Sequence, residues 1–306
     1  MRSVFLAMSQ SLWLREQAPK FKFVRRTVAR FMPGETLDDA LRAACELNQR
    51  SVGVVLTHLG ENVTDREEAA NVATHYLDAL DQIRARGLTA EVSVKLTQLG
   101  LDLDRGLAYS NLEKIVAHAG TQSIVWIDME SSQYTDVTLD HARQARKAHP
   151  NVGVCVQAYL RRTKEDLASL IPLGMAVRLV KGAYQEPARI AFSRKTEVDA
   201  NYFALAEMLL SDQARELRVR AALATHDGEL IRKITEQIRS KGFGKDAAEF
   251  QMLYGIRMGE QLRLAGEGWR VRSLISYGRY WYPWFMRRIA ERPANAWFAL
   301  RNLVTS

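Results

Sequence analysis

The chain has 306 residues, 47 % of them hydrophobic, and a formal net charge of +8, with an isoelectric point near 9.5. That is enough apolar material for one large α/β core or two ordinary ones, and it excludes general disorder. With two cysteines there is no disulfide framework and no cysteine metal pair, and no apolar run approaches the length needed to cross a bilayer.

Excess positive charge points to anionic company: nucleic acid, an acidic membrane surface, phosphate groups or a carboxylate substrate. Most basic residues are interleaved with acids along helix faces, which sets nucleic acid aside. The N-terminal run VFLAM is too short for a signal-peptide core, so a cytoplasmic protein in a reducing compartment is expected. The acid-free stretch from Lys20 to Arg30 reads as a solvated helix flank, with contact to the inner face of a membrane as its alternative. No linker or low-complexity tract interrupts the 18 glycines and seven prolines, so residues 1–306 are expected to form one domain with a helical N-terminal region, 1–50.

Within that region LDDALRAACELNQR has the i, i+3, i+4 spacing of an amphipathic helix and contains Cys45. Apolar, β-branched runs then alternate with amphipathic ones. The strand candidates start at Val52, Glu91, Ser123, Val152 (with Cys155), Ala176, Ala221, Ala248 and Val271. The helices between them tend to end in Gly or in basic residues, and Thr64 ahead of Asp65-Arg66-Glu67 fits a capping box. Eight strands, seven crossovers and a helix after the eighth strand make the repeat count of a (βα)8 TIM-type barrel. A doubly wound sheet is the competitor, but neither G-x-G-x-x-G after the first strand nor G-x-x-x-x-G-K-[ST] occurs.

In a closed barrel the strand C-termini converge on one pocket. Here they are polar: Lys95 on the second strand, Asp128 and Glu130 on the third, Gln157 on the fourth, Arg178 and Lys181 on the fifth, Thr225, His226 and Asp227 on the sixth, Gln251 on the seventh. Each alone has an ordinary structural use as a cap, a snorkelling cation or a satisfied imidazole. Together they place charges on otherwise apolar strands, and burying an unpaired charge costs several kcal/mol. Mutual pairing plus an anionic ligand is the expected resolution. After the eighth strand, WYPWFMRRIAERPANAWFALRN starts a helix at Pro283 and sets Arg287, Arg288 and Glu291 within about one turn. A surface ion-pair face explains them; a helix lying across the barrel mouth would instead present guanidiniums to a carboxylate.

The ordered series VKLTQLG, IDMESS-x-YTD-x-TLD, VGVCVQAYLRRT, RLVKGAY, ATHD, EFQMLYGIR and RRIAERPAN, spanning roughly Val92 to Asn302, resembles the proline dehydrogenase family. The resemblance implies a (βα)8 barrel with noncovalent FAD that oxidises L-proline to 1-pyrroline-5-carboxylate and passes electrons to a quinone or another acceptor. It further implies that Arg178 lies by flavin N5 as a catalytic residue with Asp128 orienting the cationic cluster. Lys181, Gly182 and Ala183 would meet the ribityl and pyrophosphate portion, and Met129, Gln157, Thr225, His226 and Gln251 would line the cofactor. Lys95, Arg287 and Arg288 would clamp the substrate carboxylate, with Glu291 holding the arginines. The flavin's negative charge would then be the partner of Arg178 and Lys181. No metal is implied, and the oligomeric state is left open.

One motif departs. Where the family usually has Y-V-P-Y-G, an ungapped match places Leu274-Ile275-Ser276-Tyr277-Gly278, so Leu274 stands where a Tyr packs on the substrate ring. A substituted ring, a six-membered ring, or another carboxylate-bearing secondary amine or N–N compound becomes an alternative to proline. Two further classes complete the expectations: a barrel lyase using Lys95 or Lys181 as a Schiff-base amine, and a non-catalytic flavin-binding protein.

Overall fold

In the computed structural model, which describes residues 28–282 and 284–286, eight parallel strands close on themselves in chain order. They are β1 (Gly53–His58), β2 (Ala90–Val94), β3 (Val125–Ile127), β4 (Val152–Gln157), β5 (Ala176–Val180), β6 (Ala221–Ala224), β7 (Glu249–Leu253) and β8 (Arg270–Tyr277). Closure comes from β8 against β1, in register from Gly53 opposite Arg272 to His58 opposite Tyr277. Strands covered on both faces need no polar alternation, and β2 and β4 are buried at every position.

Helix α1 (Leu37–Asn48) precedes β1. Then come α2 (Arg66–Ala85), α3 (Arg105–Ala119), α4 (Thr135–Ala148) and α5 (Thr163–Leu170), one in each of the first four crossovers. The β5–β6 crossover carries α6 (Lys195–Leu209) and α7 (Asp212–Glu216), and α8 (Gly228–Ser240) and α9 (Met258–Gly266) complete the ring. Helix α8 shows the logic: Leu230, Ile231, Ile234 and Ile238 form its buried stripe, while its other faces carry charge. The start of α2 corrects the sequence reading. Asp65, not Thr64, is the N-cap, accepting from the Glu68 amide at 3.1 Å. A carboxylate one residue later does the same work and also meets the positive helix end.

Inside the barrel the wall is fitted by size. Trp126 points to the centre from β3, and a Cβ on Gly153 of β4 would lie 2.6 Å from its ring. At the N-terminal end of the strands, Glu91 (β2) and Glu249 (β7) are each about 4 % exposed and share Arg220 and Arg272. Trp126 Nε1 donates to Glu91 at 2.7 Å, so this floor is paired throughout. A second apolar cluster joins Val28 and Met32 to Leu59 and to Trp281, Tyr282, Trp284, Phe285 and Met286, the helical residues that follow β8. Among the described residues no helix is long and apolar enough to cross a membrane.

Candidate active site

The strand C-termini enclose a cavity of about 660 Å³. At its bottom, Arg178 of β5 is 3 % exposed and reaches across the barrel, its Nη2 lying 2.5 Å from Asp128 Oδ1 and 2.5 Å from Ser93 Oγ. Ser93 Oγ donates onward to the same Asp128 oxygen at 2.8 Å, and Lys95 Nζ donates to the other at 3.3 Å. Burial alone would drive the Asp128 carboxyl up, yet Arg178 and Lys95 outweigh it and hold it below its usual value. Lys95 is the mirror case: burial opposes its charge, and Asp128 restores it and raises its pKa. Asp128 thus faces two cations, and Glu61, which lines the same cavity, also favours the charge on Lys95.

The arginine is also held from below. Its guanidinium carbon lies 5.0 Å from the centroid of the Trp126 ring, and Nη1 donates to Gln251 Oε1 at 3.4 Å. Gln251 in turn donates to Glu249 at 2.7 Å, which couples the site to the charged floor.

At the rim Lys181, just past β5, lies 2.5 Å from Asp199 on α6 and 2.8 Å from Asp227. Lys195 joins the same two carboxylates. Asp227 is at once the N-cap of α8, accepting from the Glu229 amide at 3.2 Å, and the counter-ion of Lys181 and Lys195, which hold its carboxyl well below the usual range against the effect of burial. Gly182 adopts φ +114°, and a Cβ there would lie 2.2 Å from the Tyr159 ring; only glycine lets the chain turn at this point. Beside it, His226 Nε2 accepts from the Leu253 amide at 2.9 Å and ties the end of β6 to the end of β7. On the opposite face of the barrel a shallower hollow of about 350 Å³ lies against Arg146, whose guanidinium is already spent on the carbonyls of Leu173 and Gly174.

The family model described as proline dehydrogenase matches residues 40–301. The chain is 37 % identical over 306 residues to proline dehydrogenase 1 of Bacillus subtilis (strain 168), covering 99 % of each chain. It belongs to the proline dehydrogenase family. It is also 37 % identical over 281 residues to the proline dehydrogenase of Deinococcus radiodurans, covering 90 % of this chain and 89 % of that one. Among solved structures it resembles proline utilization A from Bdellovibrio bacteriovorus inactivated by N-propargylglycine, with a TM-score of 0.80 and 24 % identity over 87 % of this chain. That protein is longer, and the match covers 32 % of it; at this identity the likeness bears on the fold alone.

Against the proline dehydrogenase motifs, the cavity brings together Lys95, Asp128, Met129, Arg178, Lys181, Gly182, Ala183, Thr225, His226, Gln251 and Leu274. Gln157 is not among its lining residues: the side chain is buried and donates to the Met129 and Glu130 carbonyls at 3.1 and 2.7 Å, bracing the end of β3. Glu130 likewise turns away, accepting from the Thr97 amide and hydroxyl at 3.2 and 2.6 Å. Arg287, Arg288 and Glu291 lie outside the described residues, as does the basic stretch from Lys20 up to residue 27.

Of the expected mutual pairing and anionic ligand, the chain supplies the first with carboxylates of its own. Asp128 answers Arg178, and Asp199 and Asp227 answer Lys181. Asp199 escaped the sequence reading because it lies inside an amphipathic helix, where an acid looks like solvated surface. Ser93, Thr57, Ser276 and Trp284 were missed for a related reason: a single hydroxyl or aromatic within an apolar run carries no signal of its own.

Proposed function

We propose that the chain is an FAD-dependent dehydrogenase that oxidises the C–N bond of L-proline or a close cyclic relative. In this reaction the C5–H and N–H bonds of the ring break, a C5=N double bond forms, and 1-pyrroline-5-carboxylate results. FAD, when bound, supplies the acceptor for the two electrons and protons. The observation that carries the reading is the Lys95–Asp128–Arg178 centre at the bottom of a cavity in a proline dehydrogenase family member.

The donor set suits a flavin dinucleotide. Lys181 and Lys195 stand at one rim for a diphosphate, Gly182 leaves the backbone bare of a side chain, and Val180, Ala224 and Met252 give the apolar wall that a flat ring requires. Lys181, Gly182, Ala183, Thr225, His226, Met129 and Gln251 would hold it, with Arg178 stabilising negative charge on the ring system. The two rim lysines would exchange part of their pairing with Asp199 and Asp227 for phosphate oxygens.

On the substrate side Lys95, with Arg287 and Arg288, clamps the carboxylate and fixes the ring, so the contribution of these residues is chiefly positional. Asp128 keeps both Lys95 and Arg178 charged and aimed. The Schiff-base alternative loses ground at Lys95, because an amine nucleophile needs a depressed pKa and Lys95 is shifted upward by Asp128. Electrons leave to a quinone or another acceptor.

Purified protein should be yellow and should bleach anaerobically on addition of L-proline or an analogue. A colourless preparation that takes up no FAD would sink the proposal. Arg288→Met should raise the half-saturating substrate concentration by at least about tenfold while leaving flavin content unchanged; equal loss of both would refute the carboxylate clamp.

A further inference from the structure

One hydroxyl beneath the cavity touches both members of its tightest ion pair. Ser93 of β2 is fully buried and is not among the residues that line the cavity. Side chains two apart on a strand share a face, so Ser93 stands between Glu91 of the charged floor and Lys95 of the site. Its oxygen accepts from Arg178 Nη2 at 2.5 Å, and its single proton goes to Asp128 Oδ1 at 2.8 Å. Arg178 Nη2 reaches that same carboxylate oxygen at 2.5 Å, which closes a triangle. The backbone under the triangle is fixed too. The Ser93 carbonyl accepts from the Tyr76 phenol at 2.8 Å, and the phenol accepts from the His58 amide at 3.0 Å. Tyr76 thereby fills the seam between β1 and β2 just beyond their last register pair, Leu56 opposite Val92.

Lys95 is held differently. It meets Asp128 only at Oδ2, 3.3 Å away, longer than the about 2.7–2.9 Å of a close charged hydrogen bond. Among the described residues this is its single hydrogen bond, and an ammonium group has three protons to give. With Oδ1 committed to both Arg178 and Ser93, the carboxylate cannot swing toward Lys95 without breaking those bonds. The lysine, which lines the cavity, keeps donors to spare.

We infer that Ser93 is a positioning residue whose hydroxyl locks Asp128 onto Arg178 and so leaves Lys95 lightly held for the carboxylate of an incoming substrate. This rests on the dehydrogenase reading and adds to it a residue that touches neither substrate nor cofactor. Without the hydroxyl, Oδ1 keeps Arg178 alone and the carboxylate is free to turn to Lys95. The substrate must then compete with Asp128 for the lysine. Arg178 still has Asp128, Gln251 and the Trp126 face to hold it.

The test uses flavin-loaded wild type and Ser93→Ala, with L-proline kinetics, flavin content, and equilibrium binding of the redox-inert tetrahydrofuran-2-carboxylate. Ser93→Ala should raise KM and the analogue's dissociation constant by about tenfold, while kcat and flavin content change less than about threefold. In a Lys95→Met background the same substitution should leave analogue binding where Lys95→Met alone puts it, because the group through which Ser93 acts is gone. Analogue affinity untouched by Ser93→Ala, a further full loss in the Lys95→Met background, or KM, kcat and flavin content failing together overturns the inference and leaves the dehydrogenase reading standing. Should Ser93→Ala not fold, Ser93→Cys, close in size and a poor donor, takes its place with the same outcomes. Flavin that no cyclic amino acid reduces overturns the broader reading, and this one with it.

Discussion

Asp128 takes three donors on two oxygens, from Arg178, Ser93 and Lys95, so its loss strands more than one partner. Asp128→Asn keeps the shape and removes the charge, leaving a buried arginine without its counter-ion; a loss of about 3 kcal/mol in urea unfolding is expected, together with a large drop in turnover. Glu130 presents the opposite electrostatics. Burial holds its carboxyl at about 7, above the ordinary 4.5, despite the two bonds from Thr97. Between these values the unfolded chain has lost a proton that the folded chain keeps, so stability falls as pH rises from 4.5 to about 7 and levels off above it. Glu130→Gln should flatten that slope by up to about 3 kcal/mol. Denaturant midpoints measured across the window check it; a parallel slope in both proteins would show that Glu130 does not cause it.

Helix starts and loop ties govern the next scale up. Since Asp65 and not Thr64 caps α2, Asp65→Ala should cost about 1 kcal/mol and Thr64→Ala close to nothing. Thermal melts of the two variants distinguish the assignments directly. Asp227 couples an element to the site, because the residue that begins α8 also holds Lys181. The loop after β5 is tied down in the same manner: Glu186 accepts from the Ser132 amide and hydroxyl at 2.7 and 2.6 Å, and this loop carries the cavity residues Ala183, Tyr184 and Phe192. In β4, Gly153 is needed for space rather than for torsional freedom. Gly153→Val should displace Trp126 and, through it, Arg178, so that about 1–3 kcal/mol of overpacking appears with a weakened site.

For the whole molecule, the charged floor and the candidate site belong to one polar column inside the barrel, running from Glu91, Arg220 and Arg272 through Glu249 and Gln251 to Arg178. Removing one member leaves an opposite charge buried alone; Arg220→Met should therefore cost about 3–5 kcal/mol, read as a lower urea midpoint. A ligand that binds only the folded barrel stabilises it by mass action, so FAD at one hundred times its dissociation constant should add about 2.7 kcal/mol and raise the melting temperature. A melting curve unmoved by FAD would contradict the cavity as its binding site.

Eight largely apolar runs separated by amphipathic ones pointed to a (βα)8 barrel without coordinates, because a parallel strand covered on both faces is mostly apolar and a helix that covers it is apolar on one side. Barrel geometry then sends strand ends to one mouth, so Lys95, Asp128, Arg178, Lys181 and Gln251 were legible as a group. What they bond to was not. Gln157 and Gln251 look alike in the sequence, each an amide within an apolar strand, yet one braces a neighbouring backbone and the other holds Arg178. Asp199, Ser93 and Ser276 acquire their places only when residues distant in the chain are brought within a few ångströms, and the N-cap of α2 turned on a local torsion. Periodicity is a property of one segment and survives in the sequence; a hydrogen bond across the barrel is a property of two, and only closure of the sheet decides it.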